Sequence, residues 1–276
     1  MTELPQAEIL NGEASEAEAM FLMLAGVAEP QRTILGTAAV RFAGGVVLSM
    51  AHDPVNYWSK ALGFGVESPI DNDLVQRIID TFAESGVDSA TIQIAPQLLP
   101  MEWTEICAAH GIEAEGQWIK LAGAPDSVGS DRSDLRVGRV APADIPDWSN
   151  VIFAGFGMPT DHLPALLVGA AESTQMQPFA VWDGDTMVAG ASLVTHGDIG
   201  HLAGAATLPA FRGRGAQSAL IAARIRAARY SGIRRLYAET GKPEQPGSNS
   251  SLNNMIRAGL QPLYERTNWR WTAPGS

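Results

Sequence analysis

A single cysteine in 276 residues, Cys107, excludes an internal disulfide and fits a reducing, cytoplasmic setting. It stands among apolar residues of a helical stretch and reads as buried filler. The five histidines are dispersed and no Cys/His cluster has metal-site spacing, so no metal is expected. No apolar run approaches the roughly eighteen residues that cross a bilayer, and Met1-Thr2-Glu3-Leu4-Pro5 lacks the basic-then-apolar order of a secretion signal. Positive charge is scarce too. The chain carries 19 Lys/Arg against 30 Asp/Glu, a net charge of −11, which argues against nucleic acid as a partner. The shortage is confined to one half: residues 1–130 hold 5 basic against 18 acidic side chains, residues 131–276 hold 14 against 12. Seven arginines and no acid fall within 212–235. That run fits a small polyanion, with Arg224, Arg226 and Arg229 read as a solvated helix face.

What is present centres on Leu208-Pro209-Ala210-Phe211-Arg212-Gly213-Arg214-Gly215-Ala216-Gln217-Ser218. An apolar run, Leu202 to Leu208, meets a proline, crosses a loop with two glycines and two arginines, and opens into a helix. A helix start leaves backbone N–H groups unpaired and carries partial positive charge. Glycine lets that backbone approach an anion, so the segment suits a phosphate or pyrophosphate. It lacks the lysine of the nucleoside-triphosphate loop and the third glycine of the dinucleotide fingerprint.

Downstream, the spacing predicts a helix to Ser231, a strand Arg235 to Thr240, a Gly/Pro/Ser-rich loop, a helix Ser250 to Ala258 and a hairpin-like ending, Gln261 to Trp271. Upstream, Leu135 to Val140 reads as a strand. Phe179 to Trp182 and Met187 to Thr195 read as a hairpin around Asp183-Gly184-Asp185. Arg212-x-x-Gly215-x-Gln217 resembles motif A of the GNAT superfamily of acyl-coenzyme A transferases (Arg/Gln-x-x-Gly-x-Gly/Ala), departing at its last position. Ser251-x-x-Asn254, Ala258-Gly259-Leu260 and Tyr264-x-Arg266 resemble motif B. The resemblance covers Asp134 to Trp271.

The resemblance implies acetyl-CoA as cosubstrate. Ala205, Ala206, Thr207, Leu208, Arg212, Gly213, Arg214, Gly215, Ala216, Gln217 and Ser218 would contact it, with Ser251 and Asn254 beside the pantetheine arm. The strand that opens the motif would splay from the next strand, and Ala205 and Thr207 would hold pantetheine through their backbone. Strand alternation puts His201, Ala203, Ala205 and Thr207 on one face. His201 is the first choice for general base, since an imidazole accepts a proton near neutrality; Glu239 is the alternative base or an anchor for the acceptor's ammonium. The superfamily's usual acid, a tyrosine, is Met255 here, leaving Tyr264 or a water to protonate the thiolate.

Residues 123–133 read as a polar linker. In residues 1–122, Arg41 to Met50 alternates like a strand, Asp73 to Ser85 reads as an amphipathic helix, and Ala90 to Ile94 and Glu115 to Lys120 as strands. This echoes the second half and suggests a divergent, degenerate GNAT-like copy without its cofactor loop, an unrelated α/β domain being the alternative. The expected fold class is α/β (α+β): two GNAT-like domains, 1–122 and 134–276, each a mixed, mostly antiparallel sheet flanked by helices. The expected function is acetyl-CoA-dependent N-acetyl transfer to a small-molecule or peptide amine, with a non-catalytic coenzyme A sensor or a scaffold as alternatives. A homodimer is left open.

Overall fold

The computed structural model describes residues 5–127 and 135–275; residues 128–133 of the expected linker lie outside them. The first half begins with α1 (Gln6–Ala25) and α2 (Gln31–Leu35). It continues through β1 (Thr37–Phe42), β2 (Gly45–Met50), β3 (Lys60–Leu62), α3 (Asn72–Glu84), β4 (Ser89–Gln93), α4 (Trp103–His110) and β5 (Ile112–Gly123). After β6 (Arg136–Arg139) the same order recurs: α5 (Ile145–Phe156), α6 (Ala165–Ala170), β7 (Met176–Asp183), β8 (Thr186–His196), β9 (Ile199–Thr207), α7 (Ala216–Tyr230), β10 (Arg235–Gly241), α8 (Ser250–Arg257) and β11 (Gln261–Thr272).

Local chemistry explains the clearest elements. Asp71 caps α3 by accepting from the Leu74 N–H at 2.8 Å, and Val75, Ile78, Ile79 and Phe82 give the helix its buried stripe. Two expectations change. The alternating stretch 41–50 belongs to a β1–β2 hairpin that turns at Ala43 and Gly44, both at positive φ. The C-terminal segment is no hairpin but one long strand, β11, kinked by two register shifts against β5.

The strands form a single sheet ordered β1-β2-β3-β4-β11-β5-β10-β9-β8-β7-β6, not two separate sheets. Only β3–β4 and β9–β10 are parallel. The two halves exchange their final strands: β5 pairs with β10 of the second half, and β11 lies between β4 and β5. Along β2, Val46, Leu48 and Met50 enter one core while Val47 enters another, as strand alternation requires. The first core, under α1, α5 and α6, draws side chains from both halves. The opposite face is covered by α3 and α4 over the first half and by α7 and α8 over the second. The first core includes a close backbone approach: a Cβ built on Gly169 of α6 would lie 1.9 Å from the Gly26 carbonyl oxygen at the end of α1.

Candidate active site

The site begins where two strands part. β9 pairs with β10 only over Ile199–His201 against Arg235–Tyr237. Beyond that point β9 follows β8 and β10 follows β5, which opens a wedge lined by unpaired strand edges. At Gly204, φ is +58° and the β8–β9 register shifts. The bulge breaks the expected alternation: Ala203 and Ala206 pack into one core, Leu202 and Ala205 toward the other. Ala205 therefore does not share a face with Ala203.

One end of the wedge is the start of α7. Gly215 caps it at φ +81° and no side chain caps its N–H groups, leaving donors for an anion. Next to it is a cavity of about 510 Å³. Of the expected contacts, Ala205, Ala206, Thr207, Arg212, Gly213, Gly215, Ala216, Gln217, Ser218, Ser251 and Asn254 line it, joined by Arg257. Arg212 Nη2 donates to Gly155 O (2.7 Å), tying the loop to α5. Gln217, the departure from motif A, bridges two helices: its Nε2 donates to Ser251 Oγ (2.8 Å) and its Oε1 accepts from Asn254 Nδ2 (2.5 Å). Two expected contacts do not reach the cavity. Arg214 turns outward to grip both oxygens of Asp183 (2.7 and 3.1 Å), and Leu208 commits its N–H to Val188 O (3.0 Å).

The other end is a chamber of about 330 Å³ between the halves. The first half supplies Ala19, Met20, Met23, Tyr57, Trp58 and Trp118; the second supplies Phe153, Phe156, His201, Arg224, Glu239 and Met255 among others. None of these first-half residues belongs to a cofactor motif: Ala19, Met20 and Met23 come from α1, Tyr57 and Trp58 from the segment before β3, and Trp118 from β5.

His201 is buried, and each ring nitrogen has a partner: Nδ1 lies 3.1 Å from Ser15 Oγ and Nε2 lies 3.1 Å from Glu239 Oε1. Ser15 Oγ in turn donates to Gly12 O (3.0 Å), which ties the imidazole to α1. Glu239 Oε2 accepts from Lys120 Nζ (3.1 Å), its register partner on β5, and Lys120 also donates to Glu16 Oε2 (2.5 Å). Arg266 spans Glu13 and Glu16 at 2.8 and 2.7 Å. Burial opposes ionisation of Glu239, but His201, Lys120 and Arg266 together outweigh it and hold the carboxyl well below the usual range. Glu239 thus presents a fixed negative charge to the chamber.

Two readings are corrected. Tyr264 does not line the chamber; its hydroxyl donates to buried Glu13 (2.7 Å), and burial together with that carboxylate pushes its phenol far up. It is not placed to protonate a thiolate. Arg224 is no solvated residue: it is 2% exposed and lines the chamber. Among the described residues no group of three or more His, Cys, Asp or Glu is arranged to hold a metal, and no helix is long and apolar enough to cross a membrane.

The chain's similarity to known proteins points the same way as this geometry. Residues 147–250 match the Acetyltransferase (GNAT) family. The whole fold is shared with GNAT proteins of known structure. A GCN5-related N-acetyltransferase from Kribbella flavida superposes with a TM-score of 0.62 at 19% identity, covering 96% of each chain. A tandem GNAT protein from the clavulanic acid biosynthesis pathway gives 0.59 at 13% identity, over 98% of this chain and 97% of that one. A GCN5-related N-acetyltransferase from Sphaerobacter thermophilus gives 0.57 at 13% identity, over 87% and 77%. No curated protein sequence matches the chain.

Proposed function

We propose that this GNAT-fold chain is an acetyl-CoA-dependent N-acyltransferase acting on a small amine, with residues 1–122 a tandem copy that has lost its cofactor loop and now encloses the acceptor. The observation that carries the reading is continuity: one wedge connects a helix start whose N–H groups no side chain caps, open to a pyrophosphate, with a chamber holding an ionised carboxylate. The α7 backbone, Arg212 and Arg257 would hold the phosphates, and the free β9 edge from Ala205 to Thr207 the pantetheine arm. Acetyl-CoA, when bound, supplies an acyl group activated as a thioester.

The chain's own residues do the rest. Glu239, held ionised, anchors the acceptor's ammonium, and the proton released from the amine passes to Nε2 of neutral His201, 3.1 Å from Glu239 Oε1. The carboxylate keeps its charge and stabilises the imidazolium that forms; among the described residues lining the chamber it is the one carboxylate. With Tyr264 tied to Glu13 and Met255 in the wall, water protonates the departing thiolate. Aromatic walls exclude bulk water and favour a compact amine over a peptide. Met255 favours a second reading, a coenzyme A sensor without transfer.

Thiol release from acetyl-CoA across a panel of small amines tests the proposal on the full chain. Amine-dependent release supports transfer. Thermal stabilisation by coenzyme A without release under any amine leaves the sensor reading, and neither response leaves a scaffold.

A further inference from the structure

Arg224 stands deeper along α7 than the cradle, in line with Gln217 and Ile221 at helical spacing, and all three line the chamber. Its side chain is buried, yet among the described residues it meets no carboxylate. Nε donates to Leu220 O (3.2 Å), and Nη1 to Ser192 O (3.0 Å) and Ala203 O (3.4 Å) on the two strands flanking the bulge. Burial alone acts on the guanidinium and pushes it down to about 9. Lys120 and Arg266, also buried near the site, are neutralised by glutamates, and buried Lys60 lies over the ring of Tyr57, 3.5 Å from its centroid; Arg224 has neither kind of partner among the described residues. A buried cation left without an anion is costly, and bracing two carbonyls does not require a charge. A charge kept under those conditions, on a chamber wall, marks the place of an anion that arrives with a ligand.

We infer that the chamber binds a carboxylate against Arg224, brought either on the acyl group, as the free end of a dicarboxylic monothioester, or on the acceptor, as in an amino acid. This rests on the reading of the chamber as the place where acyl group and amine meet. The planar guanidinium suits a carboxylate, and Glu239 provides the complementary charge for an ammonium.

The test is calorimetric binding to the full chain with two matched pairs of probes. Succinyl-CoA against acetyl-CoA isolates a carboxylate on the acyl group. Phenylalanine against phenethylamine, with and without coenzyme A, isolates one on the acceptor. In one pair the carboxylate-bearing member should bind roughly 10- to 100-fold tighter, the strength of a charged hydrogen bond. Arg224→Gln keeps a donor for the Ser192 and Ala203 carbonyls and should abolish that preference while leaving acetyl-CoA affinity unchanged. Arg224→Lys, which keeps the charge, should restore part of it. Preference in the first pair assigns the carboxylate to the acyl group, in the second to the acceptor. No preference in either pair for the wild type, or an equal loss for every ligand in Arg224→Gln, overturns the inference and leaves Arg224 as a brace. Because binding is read without turnover, an absence of acyl transfer would fail the proposed function and not this one.

Discussion

At the scale of single residues, the site depends on charges that have been buried and matched. His201→Gln should lower turnover by roughly 10²–10⁴-fold, the usual contribution of a positioned proton acceptor, with coenzyme A affinity unchanged. Glu239→Gln should also raise the KM for the amine, because it removes the ammonium's anchor. Steady-state rates with any accepted amine decide this, and an unchanged kcat in His201→Gln would remove the imidazole from proton transfer. The same cluster sets acid sensitivity. Glu16 is buried, which alone would raise its carboxyl, but Arg266 and Lys120 lower it below the usual range, as happens at Glu239. Depressed carboxyls stabilise the fold fully above their unfolded value of about 4.3 and lose that contribution as pH falls through the folded values. The melting temperature of the full chain should stay level from about pH 8 to pH 5 and drop only below about pH 4. A decline already complete at pH 5 would contradict the assignment. Lys120→Met strands two carboxylates and should cost ~3–5 kcal/mol in urea unfolding; a loss under about 1 kcal/mol would mean the cluster is not coupled to folding.

At the scale of elements, the glycine-capped start of α7 and the α1–α6 crossing invite separate tests. Gly215→Glu places a carboxylate where N–H groups face the cavity and should abolish coenzyme A binding. Gly215→Ala meets the same left-handed strain without the charge, so it should retain measurable affinity; equal loss in both would mean strain alone is responsible. Gly169→Ala drives a methyl into the Gly26 carbonyl, whereas nothing lies within 4 Å of a Cβ added at Gly241. The first should lower the melting temperature clearly and Gly241→Ala hardly at all. The elements differed in how openly the sequence showed them. The loop 212–218 and α8 were legible because glycine, proline and capping residues mark them and because their motif spacing is local. Helix α1 was not, since its buried positions include Glu13, Ser15 and Glu16, which blur an apolar stripe. Arg224 was misread for the same reason: arginine at helical spacing signals solvent unless the bulge it braces is known. The aromatic wall of Tyr57, Trp58 and Trp118 was invisible because Trp118, on β5, lies far along the chain from Tyr57 and Trp58 and meets them only in the folded first half.

At the scale of the whole molecule, the exchanged strands make the halves dependent on one another. A fragment from residue 135 would leave β10 and β11 without β5 and Arg266 without its glutamates. It should show no cooperative thermal transition alone, while the two halves expressed together from separate chains should recover one. A sharp transition in the isolated fragment would mean that β10 and β11 close up without their partner. The exchange also has a temporal side. As the chain leaves the ribosome, β4 (Ser89–Gln93) emerges with one edge open and must wait for the whole stretch to Gln261 before β11, the strand that covers it, is made. The contacts that close the sheet are among the longest in sequence, so they form late and slowly. Until then the nascent first half presents a bare strand edge, the kind of surface other chains pair with. Its surplus of acidic side chains, 18 against 5 basic, keeps such half-made molecules repelling one another while they wait.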